Sequence, residues 1–145
     1  MLTAGEVKQS VIEGAKKKFR LPDLSDEEWE KVYRAVAVLE CIERGYKYED
    51  ICCEIFGMLL GEGRPVAIRE IVRRLSNRHP VGSIYVALHT LRKHGLIEGG
   101  QAHGYIWFTK GVAEFIGVPY INPVEYKQRL KPSTGRQRVR QFAEL

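Results

Sequence analysis

Residues 83–97 read SIYVALHTLRKHGLI, and this stretch decides the fold. At about 100° per residue, Ile84, Leu88, Leu91 and Gly95 fall within one narrow sector of a helical wheel. Such a sector faces a core, because an apolar stripe on a helix is buried against neighbouring elements. The pattern therefore predicts a helix over about 81–94 whose opposite side stays open.

The open side of this predicted helix carries no acidic side chain. A solvated helix of this length usually includes some, so the composition favours an anionic partner. The positive end of the helix dipole suits phosphate, and hydroxyl and imidazole groups suit base edges or backbone oxygens. We predict a recognition helix for the major groove of duplex DNA. Its predicted contact residues are Ser83, Tyr85, Val86, His89, Thr90 and Lys93.

Three shorter elements are predicted before the recognition helix. The apolar spacing over 48–59 predicts a helix, which the Gly-Glu-Gly turn at 61–63 ends. An extended segment at 64–66 leads into a second helix over 68–75. Asparagine and proline punctuate residues 76–80, which are therefore expected to form a loop.

A two-stranded hairpin is predicted after the recognition helix. Gly95 closes that helix, and the apolar stretches 96–98 and 105–108 flank a glycine-rich tip. Side chains alternate across a strand. One of Trp107 and Phe108 is therefore expected to pack inward while the other covers the hairpin.

This order of elements resembles the PadR-type and MarR-type transcriptional regulators. Residues 85–97 resemble the PadR run of Tyr, x, Ala, Leu, His, x, Leu, three residues, then Gly-Leu-Ile. Residues 105–111, which end Phe-Thr-Lys-Gly, are similar to the strand and the Leu-Thr-x-x-Gly that close the family's wing. The resemblance covers roughly residues 51–116 and implies a winged helix-turn-helix that regulates transcription.

The chain differs from the PadR pattern at both ends, since family members begin near the first winged-helix segment and end in a long dimerising helix. Residues 1–47 are instead predicted to form an N-terminal extension of two helices, the first over 6–19. The second begins at a capping box of Ser25 and Glu28 and ends near Gly45. This second helix either packs onto its own domain, which we favour, or supplies a homodimer face.

Positive charge increases toward the C-terminus. The chain carries 23 Lys and Arg against 18 Asp and Glu, with a net charge of −2 over 1–50, +3 over 51–118 and +4 over 119–145. Such asymmetry is typical of a surface that binds a polyanion. The expected fold is mainly α with a small β-wing: the helical extension, a winged helix-turn-helix over 48–118, and a Pro-broken, extended basic tail over 119–145.

Further DNA contacts are predicted around the recognition helix. A helix-turn-helix crosses the DNA backbone at its second helix and turn, so cations there are expected to bind phosphate, although at least one should form an internal ion pair with Glu70 or Glu54. These cations are Arg69, Arg73, Arg74, Arg78 and His79. The hairpin tip, with Gln101 and His103, either reaches a minor groove or only forms the turn. The tail, with Arg136, Arg138 and Arg140, either adds unspecific phosphate affinity or solubilises the terminus.

Several classes of protein are not expected. The three cysteines, Cys41, Cys52 and Cys53, lack metal-ligand spacing, and the adjacent pair is expected to be buried, so we assign no metal, cofactor or disulfide. No motif of an enzyme is present, which predicts no catalysis. No apolar stretch suggests a signal peptide or a membrane span, so a cytoplasmic location is expected. The low asparagine content favours a thermophilic source.

Two further functions remain open for this sequence. The basic tail and aromatic hairpin would also suit an RNA-binding or ribosome-associated winged helix. The third possibility is a protein-interaction module of the transcription or replication machinery, in which the recognition helix never enters a groove. Duplex DNA is the predicted partner, and membrane is not.

Overall fold

The periodic segments form six helices in the part of the chain that the computed structural model describes, residues 24–100 and 104–130. The helices are α1 (Asp26–Ile42), α2 (Glu49–Glu62), α3 (Ile68–Leu75), α4 (Val81–Lys93), α5 (Lys110–Ile116) and α6 (Pro123–Leu130). The strands are β1 (Val66–Ala67), β2 (Ile97–Gly99) and β3 (Tyr105–Phe108), in the antiparallel order β1-β3-β2. The prediction of a mainly helical chain with a small sheet is confirmed. None of the described helices is long and apolar enough to cross a membrane.

Helix α1 begins at the predicted capping box. The Ser25 hydroxyl accepts from the Glu28 backbone N–H at 3.2 Å, and the Glu28 carboxylate accepts from the Ser25 N–H at 2.9 Å. Two N–H groups that the first turn would otherwise leave unpaired are satisfied in this way. The helix predicted over 6–19 lies outside the described residues.

We expect Ser25→Ala to lower the free energy of unfolding by about 1 kcal/mol and the melting temperature by about 2–8 °C, because the N-cap acceptor is lost. Ser25→Asn, which keeps an acceptor, should retain most of the stability. Thermal melts followed by circular dichroism measure both variants. Equal losses would show that the cap does not stabilise α1.

Helix α1 packs onto its own domain, as the favoured alternative predicted. Val32, Val36 and Leu39 on one face of α1 are buried against α2 and α5. Arg34 adds a hydrogen bond from its guanidinium Nη1 to the Ile116 carbonyl at the end of α5, at 3.3 Å. The apolar face of α1 is therefore occupied within the chain, and a homodimer stays a prediction.

Both faces of β3 are buried and apolar. Phe108 pairs with Ile97 of β2, and its ring lies 5.9 Å from the ring of Phe56 on α2. Trp107 is also buried, at 1% exposed, and its indole N–H donates to the Pro119 carbonyl at 3.0 Å. The expectation that one of these residues merely covers the hairpin is corrected, because the segment after α5 covers the second face.

That segment also corrects the prediction of an extended tail from residue 119 onward. Pro123 begins α6, where its missing N–H is not needed by the helix. The Asn122 side-chain oxygen accepts from the backbone N–H groups of Val124 and Glu125, at 2.9 and 3.1 Å. Asn122 and Pro123 therefore start a helix, which packs on β2 and β3. Residues from 131 onward lie outside the described part.

Candidate nucleic-acid interface

The apolar sector of α4 is buried, as its periodicity predicts. Ile84, Leu88 and Leu91 are each at most 1% exposed, beside the equally buried Ala87. Contacts with α2 and α3 fix this side of the helix. Gly95 is exposed, with a φ of +75°, so it ends the helix and does not line the core.

The opposite side of α4 is open. Gly82, Val86, His89 and Lys93 follow one another at helical spacing along the side farthest from the core, and all four are exposed. We call these four residues the outer line of α4. No acidic residue lies in α4. This side of α4 is therefore left uncovered by the described residues and carries no carboxylate.

The other predicted contact residues of α4 flank the outer line. Tyr85 is exposed, whereas Ser83 is half-buried near the start of the helix. Thr90 is also half-buried, and its hydroxyl lies 2.7 Å from the Tyr46 hydroxyl, in the loop between α1 and α2. Thr90 thus faces that loop and not the open side, which corrects its prediction as a residue of the open side, and no local pattern in the sequence indicates its contact with Tyr46.

Arg92 connects α4 to the hairpin. Its guanidinium Nη1 donates to the Gly100 carbonyl at 2.7 Å and to the Gly99 carbonyl at 3.3 Å. Gly100 has a φ of +87°, and a Cβ there would lie 2.7 Å from Ile68 and 2.9 Å from Arg92. Only glycine lets the hairpin backbone approach the guanidinium this closely. The direction in which the hairpin leaves α4 is therefore set by backbone contacts.

The three cations of α3 differ in their ion pairs with the described residues. Arg69 is exposed and forms no ion pair with the described residues. Arg73 donates to the Glu70 carboxylate at 2.6 Å and thereby lowers the pKa of Glu70 below its usual value. Arg74 lies 3.3 Å from the Glu62 carboxylate. These pairs are exposed, and exposed ion pairs are weak, so a phosphate can compete for either arginine.

The turn before α4 places both of its cations on one carboxylate. Arg78 and His79 both contact Glu54 of α2, His79 at 2.6 Å. The predicted internal ion pair with Glu70 or Glu54 is thus confirmed for Arg73 and Arg78, and His79 also contacts Glu54. His79 is largely covered and directed into the protein, whereas Arg78 remains exposed.

The remaining predicted contacts lie outside the described residues. These are Gln101 and His103 at the hairpin tip and Arg136, Arg138 and Arg140 in the tail.

Among the described residues, no group of three or more His, Cys, Asp or Glu side chains is placed to hold a metal ion. Cys52 and Cys53 are buried in α2, as predicted, and burial raises the pKa of both thiols far above the ordinary value. They are therefore protonated and unreactive at neutral pH. Cys41 is exposed.

Comparison with protein-family models, with curated proteins and with solved structures returned no match. The resemblance to PadR-type and MarR-type regulators stays a prediction.

Proposed function

We propose that the chain regulates transcription by binding duplex DNA through a winged helix-turn-helix. In this arrangement α3 and α4 form the helix-turn-helix, α4 enters the major groove, and the β2–β3 hairpin is the wing. The observation that carries the proposal is the outer line of α4, which is open and free of acid while the opposite side of the same helix is held in the core.

The charges around α4 support this orientation. Residues 64–95 contain seven Lys and Arg against one acidic residue, Glu70. The backbone N–H groups at the start of α4, which no side chain caps, and Arg69, which forms no ion pair with the described residues, are available to bind phosphate. Phosphate contacts from these groups would position the helix, and the outer line would read base edges.

We expect His89→Ala to weaken binding to a preferred site about tenfold while changing binding to random duplex little, because a base contact carries sequence information. Arg69→Ala should weaken both alike and lower the slope of log affinity against log salt by about one phosphate contact. Ser83→Ala should behave like His89→Ala, and Arg73→Ala like Arg69→Ala.

The measurement is an anisotropy titration at several salt concentrations, with a site selected by wild-type protein from a random DNA pool. Each variant serves as the control for the other class. Parallel losses in all four variants would contradict the assigned roles, and the absence of salt-dependent duplex binding would overturn the proposal.

A protein-interaction module is the second candidate, because Val81, Tyr85 and Val86 expose apolar surface on α4. Such surface suits a protein partner as well as a base edge. A stable protein complex that Lys93→Glu leaves intact, together with no duplex binding, would favour this second candidate.

A further inference from the structure

Three large apolar side chains are exposed on the first half of α4. Val81, Tyr85 and Val86 are 45%, 51% and 46% exposed. Val81 and Tyr85 are one helical turn apart on one side of α4, whereas Val86 lies about 100° around the helix from Tyr85, on the outer line. We call these three residues the apolar strip. Its partner must offer apolar groups at the end of α4 where the helix dipole is positive.

The charges around the apolar strip favour an anionic partner. Helix α4 holds no acidic residue, and Arg69 on the preceding helix is an unpaired cation within the described residues. In the major groove of DNA, phosphates border an edge on which the thymine C5-methyl is the apolar group. That combination complements the charge and the apolar surface of α4.

Gly82 leaves the surface of α4 uncovered beside Val86. A Cβ at Gly82 would meet nothing within 4 Å, so packing within the described chain does not require glycine. Its use in the first turn of α4 leaves space outside the protein, beside Val86 on the outer line.

From these observations, and resting on the proposed function, we propose that Val86 determines sequence specificity by contacting the C5-methyl group of a thymine. Val81 and Tyr85 extend the apolar contact toward the adjacent nucleotides. The bound sequence therefore contains thymine at a fixed position opposite the first half of α4.

The test replaces each thymine of the selected site, one at a time, by deoxyuridine, which removes only the methyl group. For the wild-type protein, one replacement should lower affinity about fourfold, the factor that corresponds to burying one methyl-sized group. For Val86→Ala, the same replacement should have no further effect, because the two changes remove the same contact. Val124→Ala is the control, since Val124 is 59% exposed but lies on α6, and it should keep the full sensitivity to the methyl group.

The outcomes separate this inference from the proposed function. Duplex binding that is insensitive to every thymine methyl overturns the inference and leaves the proposed function standing. Sensitivity that persists in Val86→Ala overturns the assignment to Val86. Absence of duplex binding overturns both, and binding of a protein through the apolar strip in its place would identify the second candidate. Thermal melts confirm that Val86→Ala folds, which its exposed position leads us to expect.

Discussion

Gly82→Glu should reduce affinity for duplex DNA about 100-fold while leaving the fold at least as stable as in the wild-type protein. The new side chain meets no described atom within 4 Å of its Cβ. It removes the helix cost of glycine and places a carboxylate in the first turn of α4, where the dipole favours negative charge. On the outer line, the same carboxylate faces phosphates, and like charges brought together in an interface cost several kcal/mol.

Gly111→Glu is the matched control. Gly111 is exposed, is the second residue of α5 just as Gly82 is the second of α4, and also has no atom within 4 Å of a Cβ. Both variants change the net charge by the same single unit, so they differ only in where the charge lies. We expect Gly111→Glu to weaken binding less than about threefold at physiological salt, where exposed charges are screened beyond about 8 Å.

Anisotropy titrations and thermal melts on the two variants measure affinity and stability separately. Equal weakening by both would mean that binding responds to total charge and not to the outer line. Unchanged affinity in Gly82→Glu, with a folded protein, would remove α4 from the DNA interface.

The face of α4 could be predicted from sequence because it depends on one local quantity, the helical period. That period places Leu88 inward and His89 outward, as the structure shows. The helical period does not predict which distant residues contact the side chains that flank the outer line or precede α4. Thr90 is held by Tyr46, 44 residues earlier, and His79 by Glu54, 25 residues earlier. Both partners belong to elements whose packing no local pattern specifies.

The prediction of an extended tail from residue 119 was wrong for a different reason. The sequence contains a helix-start signal there, but its prolines were interpreted as helix breakers. A proline in the interior of a helix breaks the helix, but a proline in the first turn is favoured. Asparagine is a good N-cap residue. Asn122-Pro123 is therefore a start signal. The sequence of β3 also indicates that a further element covers the sheet. Residues Tyr105 to Phe108 are apolar at every position, which is typical of a strand that is buried on both faces.

Trp107→Ala should lower the free energy of unfolding by about 3–5 kcal/mol, the range for removing a large buried aromatic side chain. Trp107 is almost fully buried, and its N–H satisfies the Pro119 carbonyl. The loss therefore combines a cavity with an unpaired carbonyl on the segment that leads into α6. Urea unfolding followed by circular dichroism measures it, and Trp29→Ala is the control, since Trp29 is only half-buried and stacks on Tyr33 at 5.1 Å.

The same variant should also loosen α6 selectively, because Trp107 and Tyr105 form the surface on which residues 118–126 rest. Tyr105 contacts the Tyr126 ring at 5.7 Å, so the support extends from Pro119 into the helix. Limited trypsin digestion under native conditions should cleave after Lys127 and Arg129 faster in Trp107→Ala than in Trp29→Ala, with products identified by mass. Equal destabilisation and equal cleavage in the two variants would contradict the conclusion that α6 is anchored by the second face of β3.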